Sequence, residues 1–180
     1  MIPVELRSRR LLLDQPTTAD SDLIVEYCGD PVFEHTMTLP WPYTVADADF
    51  FVNEYVRTGW STDAEYTWAL RHDGQFLGVI GYRFNRSDIG YWLGAPHRGK
   101  GYMPEALSAV TDWLFELGVE RLGWECVVGN VASAAVARKA GLTFTGTAPA
   151  EIPYRDASHP ASWHGVLLPA DDRTEKPGWP

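Results

Sequence analysis

Residues His97-Arg98-Gly99-Lys100-Gly101-Tyr102-Met103-Pro104-Glu105-Ala106 form a glycine-rich basic turn that runs straight into apolar periodicity. Apolar side chains recur at Ala106, Leu107, Val110, Trp113, Leu114 and Leu117, the stripe of an amphipathic helix. Pro104 suits a first helical turn, where its missing N–H has no partner to lose. Free N–H groups, the positive end of a helix dipole, two glycines and the cations Arg98 and Lys100 converge there. The chemistry such a point supports is the seating of a phosphate or pyrophosphate. The plain alternative is a turn whose glycines only relieve backbone strain. A dinucleotide fingerprint is excluded, because Pro104 stands where its third glycine belongs, and a Walker loop needs four residues between its glycines.

The elements that must hold this turn can be read on either side of it. Ile89-Gly90-Tyr91-Trp92-Leu93-Gly94 is an apolar strand with two glycines, and residues 122–128 make a second apolar strand after the helix. Gly129-Asn130-Val131-Ala132-Ser133 then opens another helix that ends at Ala140-Gly141, and Leu142-Thr143-Phe144 begins a further strand. Earlier in the chain, residues 10–15 read as a strand, and Thr17-Thr18-Ala19-Asp20 opens a helix to about Tyr27. Thr44 and Asp47 have capping-box spacing for a helix to about Thr58. Residues 65–71 and 75–84 flank His72-Asp73-Gly74, a hairpin signal. Residues 161–168 read as the last strand.

Residues 89–146 resemble the GNAT-family N-acetyltransferases, and within them the branch of the ribosomal-protein N-terminal acetyltransferases. The likeness is carried by Gly90-Tyr91-Trp92-Leu93, the Arg98-to-Met103 turn, Asn130 with Ser133, and Arg138-Lys139-Ala140-Gly141-Leu142. Arg9-Arg10-Leu11-Leu12-Leu13 and Leu39-Pro40-Trp41-Pro42-Tyr43 extend it over roughly residues 9 to 168. The resemblance implies a mixed α/β fold: a twisted, largely antiparallel sheet of about seven strands, a splayed central parallel pair, and helices on both faces. It also implies acetyl-CoA as cosubstrate and a primary amine, on a protein N-terminus or a small molecule, as acceptor.

The same resemblance distributes roles. The pantetheine arm would lie between the strands at 89–93 and 122–128, along Trp92 and Leu93, with a backbone N–H near Leu93 facing the thioester carbonyl. The pyrophosphate would sit on the N–H groups of Arg98, Gly99, Lys100, Gly101, Tyr102 and Met103, with charge from Arg98 and Arg138. Asn130 is a pantetheine contact or a helix N-cap. Many members carry a tyrosine on the last helix as the acid for the leaving thiolate, but Ala137 stands there. Ser133 fits the branch in which a serine takes that role, and otherwise reads as a first-turn hydroxyl. Glu125, amid Trp124, Cys126 and Val127, is the candidate general base, since a carboxylate among apolar residues is desolvated. Its other reading is a charge on the solvated sheet face. Glu105 reads as helix first-turn charge, and His97 as a base or, more in keeping with a basic turn, a phosphate neighbour or plain surface. Glu151, Asp156 and His159 reach the acceptor only if their loop folds over it. Trp41 and Tyr43 would wall the acceptor pocket.

Composition bounds the rest. A chain of 180 residues with 45% hydrophobic and 22% charged residues suits one domain, taken as residues 1–168, with 169–180 a polar tail expected to be flexible. A net charge of −9 argues against broad nucleic-acid binding. No apolar run suggests a membrane span and no leader pattern is visible. Cys28 and Cys126 read as free thiols of a cytoplasmic protein, and the five histidines lack metal-ligand spacing. Monomer and homodimer both stay open. The competing functions are a non-catalytic acyl-CoA binder and an unrelated nucleotide module.

Overall fold

A computed structural model describes the whole chain, residues 1–180. It opens with β1 (Leu6–Arg7) and β2 (Leu12–Asp14), followed by α1 (Ser21–Cys28) and α2 (Val32–Thr36). Thr44 caps α3 (Val45–Phe50) through the expected box, its N–H donating to Asp47 Oδ2 at 2.8 Å. A π-helical turn at Phe51–Tyr55 joins α3 to α4 (Val56–Thr62). β3 (Glu65–His72) and β4 (Gln75–Arg83) form the predicted hairpin. Asp73 (φ 49°) and Gly74 (φ 77°) provide the two positive dihedrals that its tight turn demands. Then come β5 (Asp88–Leu93), α5 (Tyr102–Glu116), β6 (Leu122–Val127), α6 (Val131–Lys139), β7 (Thr143–Pro149) and β8 (Ala161–Leu167).

The strands make one sheet of eight in the order β1-β2-β3-β4-β5-β6-β8-β7. Every neighbouring pair is antiparallel except β5 and β6. That parallel pair touches at a single register point, Asp88 opposite Gly123, and diverges beyond it. The splay expected of the central pair is therefore present. Strand alternation then sorts β5. Ile89 belongs to the larger core with α5 and α6, and Trp92 to the smaller core under α1 and α3.

The larger core is built on aromatic and aliphatic anchors, including Trp60, Trp68, Tyr82, Leu107 and Leu114. α5 contributes the stripe Met103, Ala106, Leu107, Val110 and Leu114, which holds its N-terminus firmly at the mouth of the splay. The smaller core, with Ile24, Phe33, Val52 and Phe76, fastens α1 to α3 on the opposite face.

Three features differ from the sequence expectation. The eighth strand, β1, is two residues long and offers too little alternation to register. α2 has five residues behind Pro31, below the length at which helical periodicity shows. The helix begun at Thr44 runs to Thr62 instead of Thr58, where Asp63 (φ 55°) stops it. After Leu168 the chain returns to the fold, with Arg173 pairing with Asp112 of α5 at 2.9 Å. The Trp179 ring packs 5.4 Å from both Trp124 and Phe144, and its Nε1–H donates to Leu142 O at 3.2 Å.

Candidate active site in the strand splay

A cavity of about 400 Å³ occupies the gap between β5 and β6 and extends to the N-terminus of α5. Its inner wall is backbone. Gly94 N–H donates to Leu77 O on β4 at 2.9 Å, so by alternation the N–H and carbonyl of Leu93 point the other way, into the gap. Tyr91 shares that direction. Trp92 and Leu93 both line the cavity, as expected. Leu93 O is taken by Arg98 Nε–H at 3.0 Å, which leaves the neighbouring N–H as the donor facing the gap.

The basic turn keeps its glycines where their conformation matters. Gly99 and Gly101 both have φ of 76°, and Gly101 is the N-cap of α5 with no side chain capping that helix. The N–H groups of Gly99, Lys100 and Gly101 donate to no backbone carbonyl, so a row of donors faces outward at the positive end of a fifteen-residue helix. Glu105, one turn in, does not face the turn. It accepts from Ser8 Oγ at 2.6 Å and from Arg10 N and Nε at 2.8 and 2.7 Å, while Arg10 Nη1 donates to Lys100 O at 3.1 Å. Burial raises the Glu105 carboxyl, but the Ser8 and Arg10 bonds outweigh it and hold the group below its usual range. Glu105 thus ties the start of the sheet to the turn.

The cations are arranged differently from the sequence expectation. Arg98 lines the cavity, but its Nη1 pairs with Asp30 at 2.8 Å, its Nε serves Leu93 O, and its plane lies 5.0 Å over Phe33. Only its buried Nη2 is unpartnered. Lys100 is exposed and does not line the cavity. Arg138 points away, pairing with Glu175 at 3.2 Å, and Lys139 lines the cavity in its place. The cause is helical geometry: Ala132, Val136 and Lys139 share one face of α6, and Arg138 falls off it. That spacing was legible in the sequence. His97 is not on the surface. It is buried, its Nε2 lies 2.9 Å from Tyr27 OH, and burial followed by the Lys100 charge depresses its ionisation.

The proton-transfer candidates both line the cavity. Asn130 does cap α6, its Oδ1 accepting from Ser133 N–H at 3.2 Å, and it lines the cavity as well. Ser133 Oγ donates to Tyr91 OH at 3.3 Å, and Tyr91 OH donates to Ser133 O at 3.0 Å. Tyr91, which the sequence showed only as part of a motif, therefore stands beside Ser133 from the facing strand. Burial raises its phenol well above the ordinary value, so it stays protonated. Cys126 lines the same wall, and burial pushes its thiol up to about 12.

Glu125 faces the opposite side of the sheet from Trp124 and Cys126. It lines the cavity but is fastened to the loop after β7: Oε2 accepts from Glu151 N–H at 2.8 Å and Oε1 from Ile152 N–H at 3.2 Å. That loop does fold over the site. Tyr154 lines the cavity, and Arg155 Nη1 donates to Leu39 O at 2.6 Å and Met37 O at 3.2 Å across the opening. Glu151 sits over Glu125, while His159 turns back to Ala150 O and Asp156 stays in its own turn. Trp41 and Tyr43 do not line the cavity; they are half-buried against the smaller core. Val32, Phe33, Thr36, Met37 and Thr38 form that wall, because the short α2 brings them in front of Trp92.

The acetyltransferase (GNAT) domain model matches residues 10–143, about three quarters of the chain. This chain belongs to the GNAT acetyltransferase family. Acetyl transfer from acetyl-CoA is the chemistry of GNAT enzymes, and the splayed β5–β6 pair and the Gly99–Gly101 turn are the parts of this member that suit it. Uncharacterized N-acetyltransferase p20 of Bacillus licheniformis is 26% identical over 119 residues, which span 61% of this chain and 65% of that protein. The fold is shared with an acetyltransferase from Salmonella typhimurium that modifies the N-terminal serine of 50S ribosomal protein L7/L12. That match has a TM-score of 0.75 and 17% identity, covering 89% of this chain and 96% of the other. It is shared too with the microcin C7 self-immunity acetyltransferase MccE, solved with acetyl-CoA and AMP (TM-score 0.75, 20% identity, 89% and 93% covered). No helix is long and apolar enough to cross a membrane.

Proposed function

We propose that this GNAT member transfers the acetyl group of acetyl-CoA to the α-amine of a protein N-terminus, by direct attack of the neutral amine on the thioester. The observation that carries the reading is the meeting of two features in one cavity: the unpaired strand edge at Leu93 and the open N–H row at Gly99–Gly101. The first suits an amide-bearing arm laid down as an added strand, and the second suits its pyrophosphate. Leu93 N–H is placed to stabilise a developing oxyanion. Glu125 is placed to receive the amine proton, and Ser133, steadied by Tyr91, to return a proton to the leaving thiolate. The fold shared with a ribosomal-protein acetyltransferase supports a protein acceptor, as does the entrance framed by the loops at Met37 and Tyr154. Two free, buried thiols support a cytoplasmic setting.

The test follows thiol release from acetyl-CoA with short peptides of free and blocked N-termini, and with small amines. Turnover with free-terminus peptides is the expected result. Turnover with small amines alone would move the acceptor class, and stoichiometric acetyl-CoA binding without turnover would make the chain a binder.

The α6 geometry yields its own expectation. Lys139→Ala weakens acetyl-CoA binding about tenfold, the loss of one charge-assisted contact, while Arg138→Ala leaves it unchanged. Calorimetric titration of both variants checks this, and the reverse pattern would return the phosphate contact to Arg138.

A further inference from the structure

Resting on the transferase reading, a second space bears on where the acceptor's proton goes. A polar depression of about 240 Å³ is lined by Arg86, Asp88, Arg121, Glu125, Glu151 and His164, among others. Glu125 also lines the main cavity, so the two spaces meet at its carboxylate. His164 stands opposite Glu125 across the β6–β8 pair, with its Nδ1 3.8 Å from Glu125 Oε2. Its Nε2 is buried and has no hydrogen-bond partner. Leaving such a nitrogen unpaired costs about 1–3 kcal/mol, and folds keep few groups in that condition without a use for them.

The backbone beside this imidazole is irregular and leaves open space. On its other side His164 faces Gly146, next to an irregularity in β7 between Phe144 and Gly146. A Cβ built on Gly146 would meet nothing within 4 Å. A bulge with a glycine beside an active site is a device for aiming a side chain.

The charges around the pair are otherwise engaged. Arg86 contacts Asp88 at 3.3 Å, Glu151 at 3.1 Å and Glu125 at 3.6 Å, and Asp88 also holds Arg83 at 2.8 Å. Arg121 lines the depression, and Tyr154 lines the main cavity together with Glu125. Both Glu125 oxygens already accept backbone N–H bonds, so a proton arriving there competes with Glu151 and Ile152. His164 is the group in this cluster that can take a proton without breaking an ion pair.

We propose that His164 is a proton-relay residue: Glu125 receives the proton of the acceptor ammonium and passes it to His164 Nδ1 once a small imidazole rotation closes the 3.8 Å gap, and His164 then discharges it through the polar depression that its side chain lines. The balance closes. The ammonium loses one proton to the relay and becomes the neutral nucleophile. After attack, the nitrogen of the tetrahedral adduct loses a second proton, one proton reaches the departing thiolate, and the first leaves to solvent from the imidazolium.

The experiment uses the full chain with acetyl-CoA and the best peptide acceptor. His164→Ala should lower kcat about tenfold with acetyl-CoA affinity unchanged, and added imidazole should restore turnover in a concentration-dependent way. The acid limb of the kcat profile should change shape in His164→Gln. The double variant Glu125→Gln/His164→Gln should be no slower than Glu125→Gln alone, because both act in one path. Multiplicative losses, an intact acid limb, or no imidazole rescue in a folded protein would overturn the relay. Wild-type turnover in the same assay tests the transferase reading separately, so failure of one is not mistaken for failure of the other.

Discussion

Glu125→Gln lowers kcat by about a hundredfold, the usual scale for removing a positioned proton acceptor, with acetyl-CoA affinity little changed. The affinity is spared because the proposed pyrophosphate seat is the N–H row at Gly99–Gly101, which Glu125 does not touch. Glutamine keeps one acceptor oxygen, so one of the two bonds to the Glu151–Ile152 backbone survives and the loop retains part of its anchor. The pH profile gives the sharper reading. Wild-type activity should fall as pH drops through an ionisation, and the variant should flatten that limb. An acid limb that persists in the variant means another group titrates, the acceptor amine foremost, and Glu125 then serves only to hold the loop. Calorimetry and steady-state kinetics on one preparation separate these outcomes, since a collapsed loop would also raise the acceptor KM.

The turn and helix at one end of this cavity were legible in the sequence, and the walls at the other were not. Gly99, Gly101 and the α5 stripe are local signals, fixed by backbone conformation and 3.6-residue periodicity, and the structure places them as read. Lys139 was equally local, one helical face, and was passed over for its neighbour Arg138. Glu125 shows the limit of alternation: its strand was read correctly, but its function depends on a loop twenty-six residues later whose N–H groups it holds. The same holds for Trp41 and Tyr43. Prolines around an aromatic pair mark a loop, yet which loop walls the cavity was decided by α2, too short to announce itself. Tyr91 and Ser133 lie forty-two residues apart and meet only because β5 and α6 flank one gap. Contacts made across the splay carry no sequence period.

Gly101→Val should weaken acetyl-CoA binding by about a hundredfold while the protein still folds. A β-branched residue at φ of 76° is strained by about 1–2 kcal/mol, which pulls the turn away from the conformation that aims its N–H groups outward. The added Cβ itself fits, since Arg10 Nη2 lies 3.5 Å from it, an ordinary van der Waals contact. Arg10 is bonded to Lys100 O and Glu105 and keeps those bonds, so the fold is retained while the turn is strained. Gly99→Val has the same φ and open space around its Cβ, so the same strain should give a comparable loss. Melting curves with and without acetyl-CoA, NAD and ATP check fold and ligand together. The wild type should be stabilised by acetyl-CoA well beyond the other two, and Gly101→Val should keep a cooperative transition that acetyl-CoA no longer shifts. Undiminished affinity in the folded variant would place the phosphates elsewhere and remove the turn from the binding site.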